Sequence, residues 1–94
     1  MMSPEWKKLE GTFFRHFKGN YYQLLYVAWH SETCQAQAVY RALYGEGEVW
    51  VRPLDMFLEE IERDGVRMRR FEPVRPENVP GEIRERARNA ENAS

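Results

Sequence analysis

The sequence predicts a small, mainly β protein: a strongly bent antiparallel sheet forming an SH3-like, partly open barrel, followed by a disordered or short-helical C-terminal tail. Three observations carry the prediction. The 94 residues allow one hydrophobic core and leave no room for a cleft between two lobes. Phe, Tyr, Trp and Val crowd the stretch between Gly11 and Pro73 and are interrupted at short intervals by turn formers, the mark of successive short strands. Beyond Val74, Pro76 and Pro80 break up hydrogen-bonded structure, and Ile83 is the one large aliphatic residue of the last fourteen. The chain thus divides into an N-terminal arm over 1–10, a barrel domain over 11–73 and a charged, proline-broken tail over 74–94.

Thr12 to Lys18 alternates as a strand and ends at Gly19-Asn20, residues that tolerate a tight turn. Tyr21 to Trp29 is the second strand, and Ser31-Glu32-Thr33 offers hydroxyls and a carboxylate to nearby amides in the next connection. A third strand is expected over Gln37 to Tyr44, a turn at Gly45-Glu46-Gly47, and a fourth strand over Val49 to Arg52 stopped by Pro53. Pro53 to Phe57 suits a single helical turn. Met56 to Glu62 carries both periods: Leu54, Phe57, Leu58 and Ile61 have helical spacing, while Phe57, Glu59 and Ile61 alternate. The alternation is preferred because Asp64-Gly65, a hairpin signal, follows directly. Val66 to Glu72 closes the set, and all the strands are expected in one bent sheet whose edges curl together. Trp50, central in such a sheet, is expected to be largely buried. The tail, with no apolar stripe, is expected to add little stability and to form at most a frayed helix supported by Glu82 and Arg86.

Fourteen Lys and Arg against fifteen Asp and Glu give a formal charge of −1, which argues against a general attraction to nucleic acid or anionic membranes. The longest apolar stretch, Leu24 to Trp29, is too short to span a bilayer, and the first residues lack the apolar segment of a signal peptide, so the expected location is the cytoplasm. The lone Cys34 is expected to be a reduced thiol without an internal partner.

Four segments carry a resemblance: Phe14 to Tyr22, Ala28 to Thr33, Val39 to Gly45 and Trp50 to Phe57. In that order they resemble the small bacterial family catalogued as domain of unknown function 1653. The resemblance covers roughly Gly11 to Phe71 and implies an SH3-like barrel, but no activity. The family's pattern has tyrosine where Phe14 and Phe17 stand, a charged residue where Trp29 stands, and acidic residues where Cys34 and Gln35 stand. No phenolic hydroxyl can therefore act at positions 14 or 17.

Candidate chemistry is sparse. No phosphate loop, serine elbow, paired catalytic carboxylates or close-paired zinc ligands occur, so neither a cofactor nor a metal is expected. Arg15, Lys18, Arg41 and Arg52 fall in or beside aromatic strands, where a guanidinium either stacks on an exposed ring or merely covers it and pairs with an acid across the sheet. The preferred expectation is a non-catalytic binding or accessory module presenting Arg15, His16, Tyr40, Arg41, Trp50 and Arg52 on one face to a protein segment or nucleic acid. The competing expectation is a small hydrolase or metal-assisted enzyme using His16, His30 and Glu32 or Asp55. Convergence of both histidines and a carboxylate in a pocket would decide for it. The histidines also suit a structural role, one ring nitrogen tying down a loop. Arg63, Arg67, Arg69, Arg70 and Arg75, interspersed with Glu59, Glu60, Glu62 and Glu72, read as a cross-strand charge lattice.

Overall fold

The computed structural model describes residues 4–92. After a short helix α1 (Pro4–Lys7), the chain forms strands β1 (Phe13–His16), β2 (Tyr21–Trp29), β3 (Ala36–Ala42) and β4 (Val49–Pro53). A helical turn α2 (Leu54–Phe57) leads to β5 (Glu60–Arg63), β6 (Val66–Arg69) and β7 (Phe71–Val74). A 3₁₀ turn at Pro76–Asn78 and helix α3 (Gly81–Asn92) complete it. The protein is mainly β, as expected. Its antiparallel five-stranded sheet has the order β4-β3-β2-β1-β7, and β5-β6 is a separate hairpin. The five-stranded sheet does not close into a barrel: among the described residues β4 and β7 are its two edges.

The register assigns the faces. Phe14 lies opposite Tyr22, Leu24 opposite Tyr40, and Tyr40 opposite Trp50, so these side chains share the inner face with Ala36, Ala38 and Ala42. Phe14, Leu24, Val27, Tyr40, Leu54, Phe57 and Phe71 form the core there. Phe57, delivered by α2, stacks on Phe71 with centroids 4.2 Å apart and meets Phe14 edge-on at 4.9 Å. The register slips between Leu24 and Tyr26, and there the Glu10 carboxylate accepts the Val27 N–H at 2.9 Å. Glu10 thereby supplies a partner beside the bulge and ties the N-terminal arm to β2. Trp6 packs against Trp29 with ring centroids 5.5 Å apart, docking the same arm on the core.

Several expectations are corrected. Met56 to Glu62 is neither all strand nor all helix: Met56 and Phe57 end α2, and β5 begins at Glu60. The helical spacing holds through Phe57 and the alternation from Glu60, with Leu58 and Glu59 in neither element. Val66 to Glu72 is two strands rather than one, because the Arg70 peptide serves two partners: its N–H donates to the Glu59 carbonyl and its carbonyl accepts from the Phe17 N–H. Arg70 is thus the junction between the hairpin and β7, which pairs with β1. Trp50 is 49% exposed. It does point to the inner face, but β4 is the last strand of the sheet, with no neighbouring strand beyond it. The tail is docked rather than loose: Val79 and Ala87 are buried, Ile83 and Ala90 half-buried, and Arg86 donates to the Gly45 carbonyl at 2.6 Å. Small residues spaced along one side of α3 make a contact surface that aliphatic content alone understates. At the hairpin tip, Asp64 and Gly65 both have positive φ, 53° and 78°, as a two-residue turn between right-twisted strands demands. No helix among the described residues is long and apolar enough to cross a membrane.

Candidate functional site

The six singled-out side chains do not share a face. Arg15 lies opposite Tyr21 and Glu72, and Arg41 opposite Gln23 and Val49, both on the outer face. Arg41 is committed to the neighbouring turn, where its Nη1 donates to the Gly47 carbonyl at 3.2 Å. His16, Tyr40, Trp50 and Arg52 lie on the inner face with the core. The expected single basic and aromatic face is therefore split by sheet parity, and the inner group is the coherent one.

That group is built around Tyr22. Its ring meets Tyr40, Tyr44 and Phe71 edge-on at 5.3–5.6 Å, and its hydroxyl is 2.6 Å from that of Tyr44. Burial, together with the bond to Tyr44, pushes the Tyr22 hydroxyl well above the ordinary phenol range, so it stays protonated. The Arg52 Nε donates to the Tyr40 hydroxyl at 3.4 Å, which aims the half-buried guanidinium along the inner face. His16 packs on Phe71 at 4.9 Å, and its Nδ1 accepts the Lys18 N–H at 3.2 Å, leaving the proton of the neutral ring on Nε2. Burial lowers the pKa of His16, and the cations of Lys18, Arg70 and Arg52 lower it further. The polar end of the cluster thus offers phenol hydroxyls, an imidazole N–H and a guanidinium. Donors of this kind match hydrogen-bond acceptors, charged ones most strongly.

The outer rim of this group is β4 itself. Val49, Trp50 and Val51 are 46%, 49% and 62% exposed on consecutive positions of an edge strand, and beside Trp50 opens a recess of about 130 Å³ bounded by Tyr44 and Glu48. Val49, Val51 and Glu48 are not among the site residues that the sequence singles out. The pattern that marks them is a Gly45-x-Gly47 turn followed by a short strand ending in proline, which is how an edge strand reads. A larger groove, about 420 Å³, lies between α3 and the turn after β3, where Arg41 and Arg86 line it, away from the tyrosines.

The alternative constellation does not assemble. His16 and His30 stand at opposite ends of β2, roughly 30 Å apart at the usual rise per residue. The His30 Nδ1 accepts the N–H groups of Glu32 and Thr33 at 3.2 and 3.3 Å, fixing the loop. The described residues contain no group of three or more His, Cys, Asp or Glu suited to a metal. Cys34 is exposed in that loop with φ of 60°. In the hairpin region, Arg67 pairs with Glu60 and Arg70 with Glu59, as a charge lattice requires, while Arg63 stacks over Phe17 at 5.1 Å.

A family model described as protein of unknown function, DUF1653, matches residues 12–73. The chain belongs to the DUF1653 family. It is also similar to the crystal structure of a DUF1653 protein from Bordetella bronchiseptica, at 27% identity and a TM-score of 0.64, over 73% of this chain and 91% of that one. No curated protein matches the chain. The match begins beside β1 and ends within β7, so it takes in the five-stranded sheet up to Pro73, with the tyrosine cluster and β4, and leaves out α1 and α3. The candidate site therefore lies within the family's shared domain.

Proposed function

We propose that this DUF1653 chain is a non-catalytic binding module that takes up an extended, acid-bearing protein segment as an added strand along β4. The observation that supports the reading is the exposed run Val49-Trp50-Val51 on an edge strand whose next residue is Arg52, held toward the inner face by the Tyr40 hydroxyl. An added strand gains affinity from main-chain hydrogen bonds and specificity from alternate side chains. Trp50 offers the apolar contact, and Arg52 a charge-assisted bond to a carboxylate. A protein segment suits this edge better than nucleic acid, because the formal charge is −1 and the arginines of the sheet are divided between two faces, Arg15 and Arg41 on one and Arg52 on the other. The SH3-like description of the fold belongs to this reading, as a small bent sheet left open on its binding edge, and so does a cytoplasmic setting in which exposed Cys34 stays reduced.

The test is a titration of the isotope-labelled chain with a peptide alternating Val and Glu, a Val-Lys counterpart and a single-stranded oligonucleotide, followed by amide chemical shifts. The Val-Glu peptide is expected to shift Val49 to Arg52, more weakly at high salt, and Arg52→Ala to weaken binding by about 1–3 kcal/mol. Shifts confined to Glu59 through Arg70, or binding of the oligonucleotide alone, would overturn the reading.

A further inference from the structure

Open sheet edges invite pairing with other chains, and proteins normally guard them. The β7 edge is guarded by Pro73, which has no N–H to offer, and by the exposed Glu72 beside it. The β4 edge has no such guard until Pro53. The Ala42 N–H donates to the Glu48 carbonyl at 2.9 Å, and Tyr40 lies opposite Trp50 in the same register. By antiparallel alternation, Glu48, Trp50 and Arg52 turn their backbone groups toward β3, while Val49 and Val51 turn theirs outward. The free ladder is thus short and centred on Trp50.

We infer that, in the absence of a foreign segment, β4 pairs with β4 of a second copy of this chain, antiparallel and about a two-fold axis at Trp50. In that arrangement Val49 of each copy exchanges main-chain hydrogen bonds with Val51 of the other. Trp50 meets Trp50 at the axis, and Glu48 stands directly opposite Arg52 of the second copy, twice over by symmetry. Pairs that do not exchange hydrogen bonds bring their side chains closest, which suits both the two indoles and the opposite charges. The alternatives are poorer. An axis at Val49 sets Glu48 against Trp50, and one at Val51 sets Trp50 against Arg52, so either loses both charge pairs. An axis between residues pairs an outward backbone with an inward one. On the outer face, the strip Tyr26, Val39 and Val51, apolar and aligned across β2, β3 and β4, would continue through Val49 of the second copy. The inference rests on the proposed function in taking β4 as the docking edge, and it makes the second copy a competitor for the site.

The experiment is sedimentation velocity on the full chain from micromolar to millimolar concentration, with far-UV circular dichroism to establish folding. The parent chain is expected to dimerise reversibly. Glu48→Arg and Arg52→Glu each place like charges opposite one another twice, and each is expected to raise the dissociation constant tenfold or more. An equimolar mixture of the two is expected to recover dimers, since every facing pair is again opposite in charge. Should Arg52→Glu not fold, Glu48→Gln and Glu48→Arg decide, with dissociation constants rising in that order. A parent chain monomeric at millimolar concentration, or dimers indifferent to these substitutions, would overturn the inference. In that case, shifts of Val49 to Arg52 by the Val-Glu peptide would leave the proposed function standing. Charge-dependent dimers in a chain whose monomeric Glu48→Arg form ignores the peptide would uphold the inference and sink the proposed function.

Discussion

Phe57→Ala tests the packing argument most directly. Phe57 is 0% exposed and is walled by rings: Phe71 stacked at 4.2 Å, Phe14 edge-on at 4.9 Å and Tyr40 at 5.0 Å. Truncating a buried phenylalanine costs about 3–5 kcal/mol, and each ring pair adds about 0.5–1.5 kcal/mol beyond area burial. Three ring neighbours on short, tethered elements collapse poorly into the space left, so the upper half of that range, about 4–5 kcal/mol, is expected. A domain of this length holds roughly 5–14 kcal/mol in total, so the substitution removes between about a third and nearly all of it. The melting temperature should fall by at least about 15 °C. Trp50→Ala is the matched control: a larger side chain, half in water on an edge strand, should cost only about 1–2 kcal/mol. The assay is urea unfolding followed by far-UV circular dichroism, with slopes compared to establish that both variants unfold from the same state. Equal costs for the two substitutions, or a Phe57→Ala chain within about 1 kcal/mol of the parent, would refute the assignment of the core to α2 and β7.

Further outcomes are expected elsewhere. His16 is held below its ordinary pKa of about 6.5 in the native state, so the unfolded chain binds the proton more readily. Its contribution is fully present above about pH 6.5 and is lost as pH falls toward the lowered native value. The difference in stability between parent and His16→Gln should shrink over that window, and a difference independent of pH would contradict it. Glu10→Ala leaves the Val27 N–H without its carboxylate and should cost about 1–3 kcal/mol by denaturant unfolding, an effect absent if the arm were a passive appendage. Cys34→Gly relieves a left-handed residue and should raise the melting temperature slightly, by about 0.5–1 kcal/mol of stability; a lower melting temperature would show the φ of 60° to be unstrained.

What the sequence made legible was local. Tyr21 to Trp29 is a strand with the bounds expected, Asp64-Gly65 turns the expected hairpin, and Pro53 to Phe57 contains the expected helical turn. The misses arise where a residue's neighbours lie far along the chain. Nothing in Val66 to Glu72 announces a break, because Arg70 is set apart by Glu59 and Phe17 rather than by its own flanks. Trp50 has a core residue's chemistry, and only the strand order leaves it uncovered. The candidate site shows the same limit. Alternation within a strand separates Arg15 from His16 and Arg41 from Tyr40, but deciding which of these share a face across strands needs the register, which the turns and the bulge in β2 set.

The pairing of β1 with β7 bears on how the chain comes off the ribosome. The meander β1-β2-β3-β4 joins strands that are neighbours in sequence, whereas Phe14 finds its second partner only at Pro73. Closing a loop of that length costs roughly 3–4 kcal/mol of chain entropy before any contact offsets it. Translation at about 5–20 residues per second leaves β1 waiting several seconds after its own synthesis for β7 to be made. During that interval a nascent chain would carry two unguarded edges, β1 and β4, whereas in the finished protein the edges are β4 and the Pro73-guarded β7. Messages truncated just before Phe71 would make that interval permanent, and their products should aggregate rather than accumulate as shortened, folded chains.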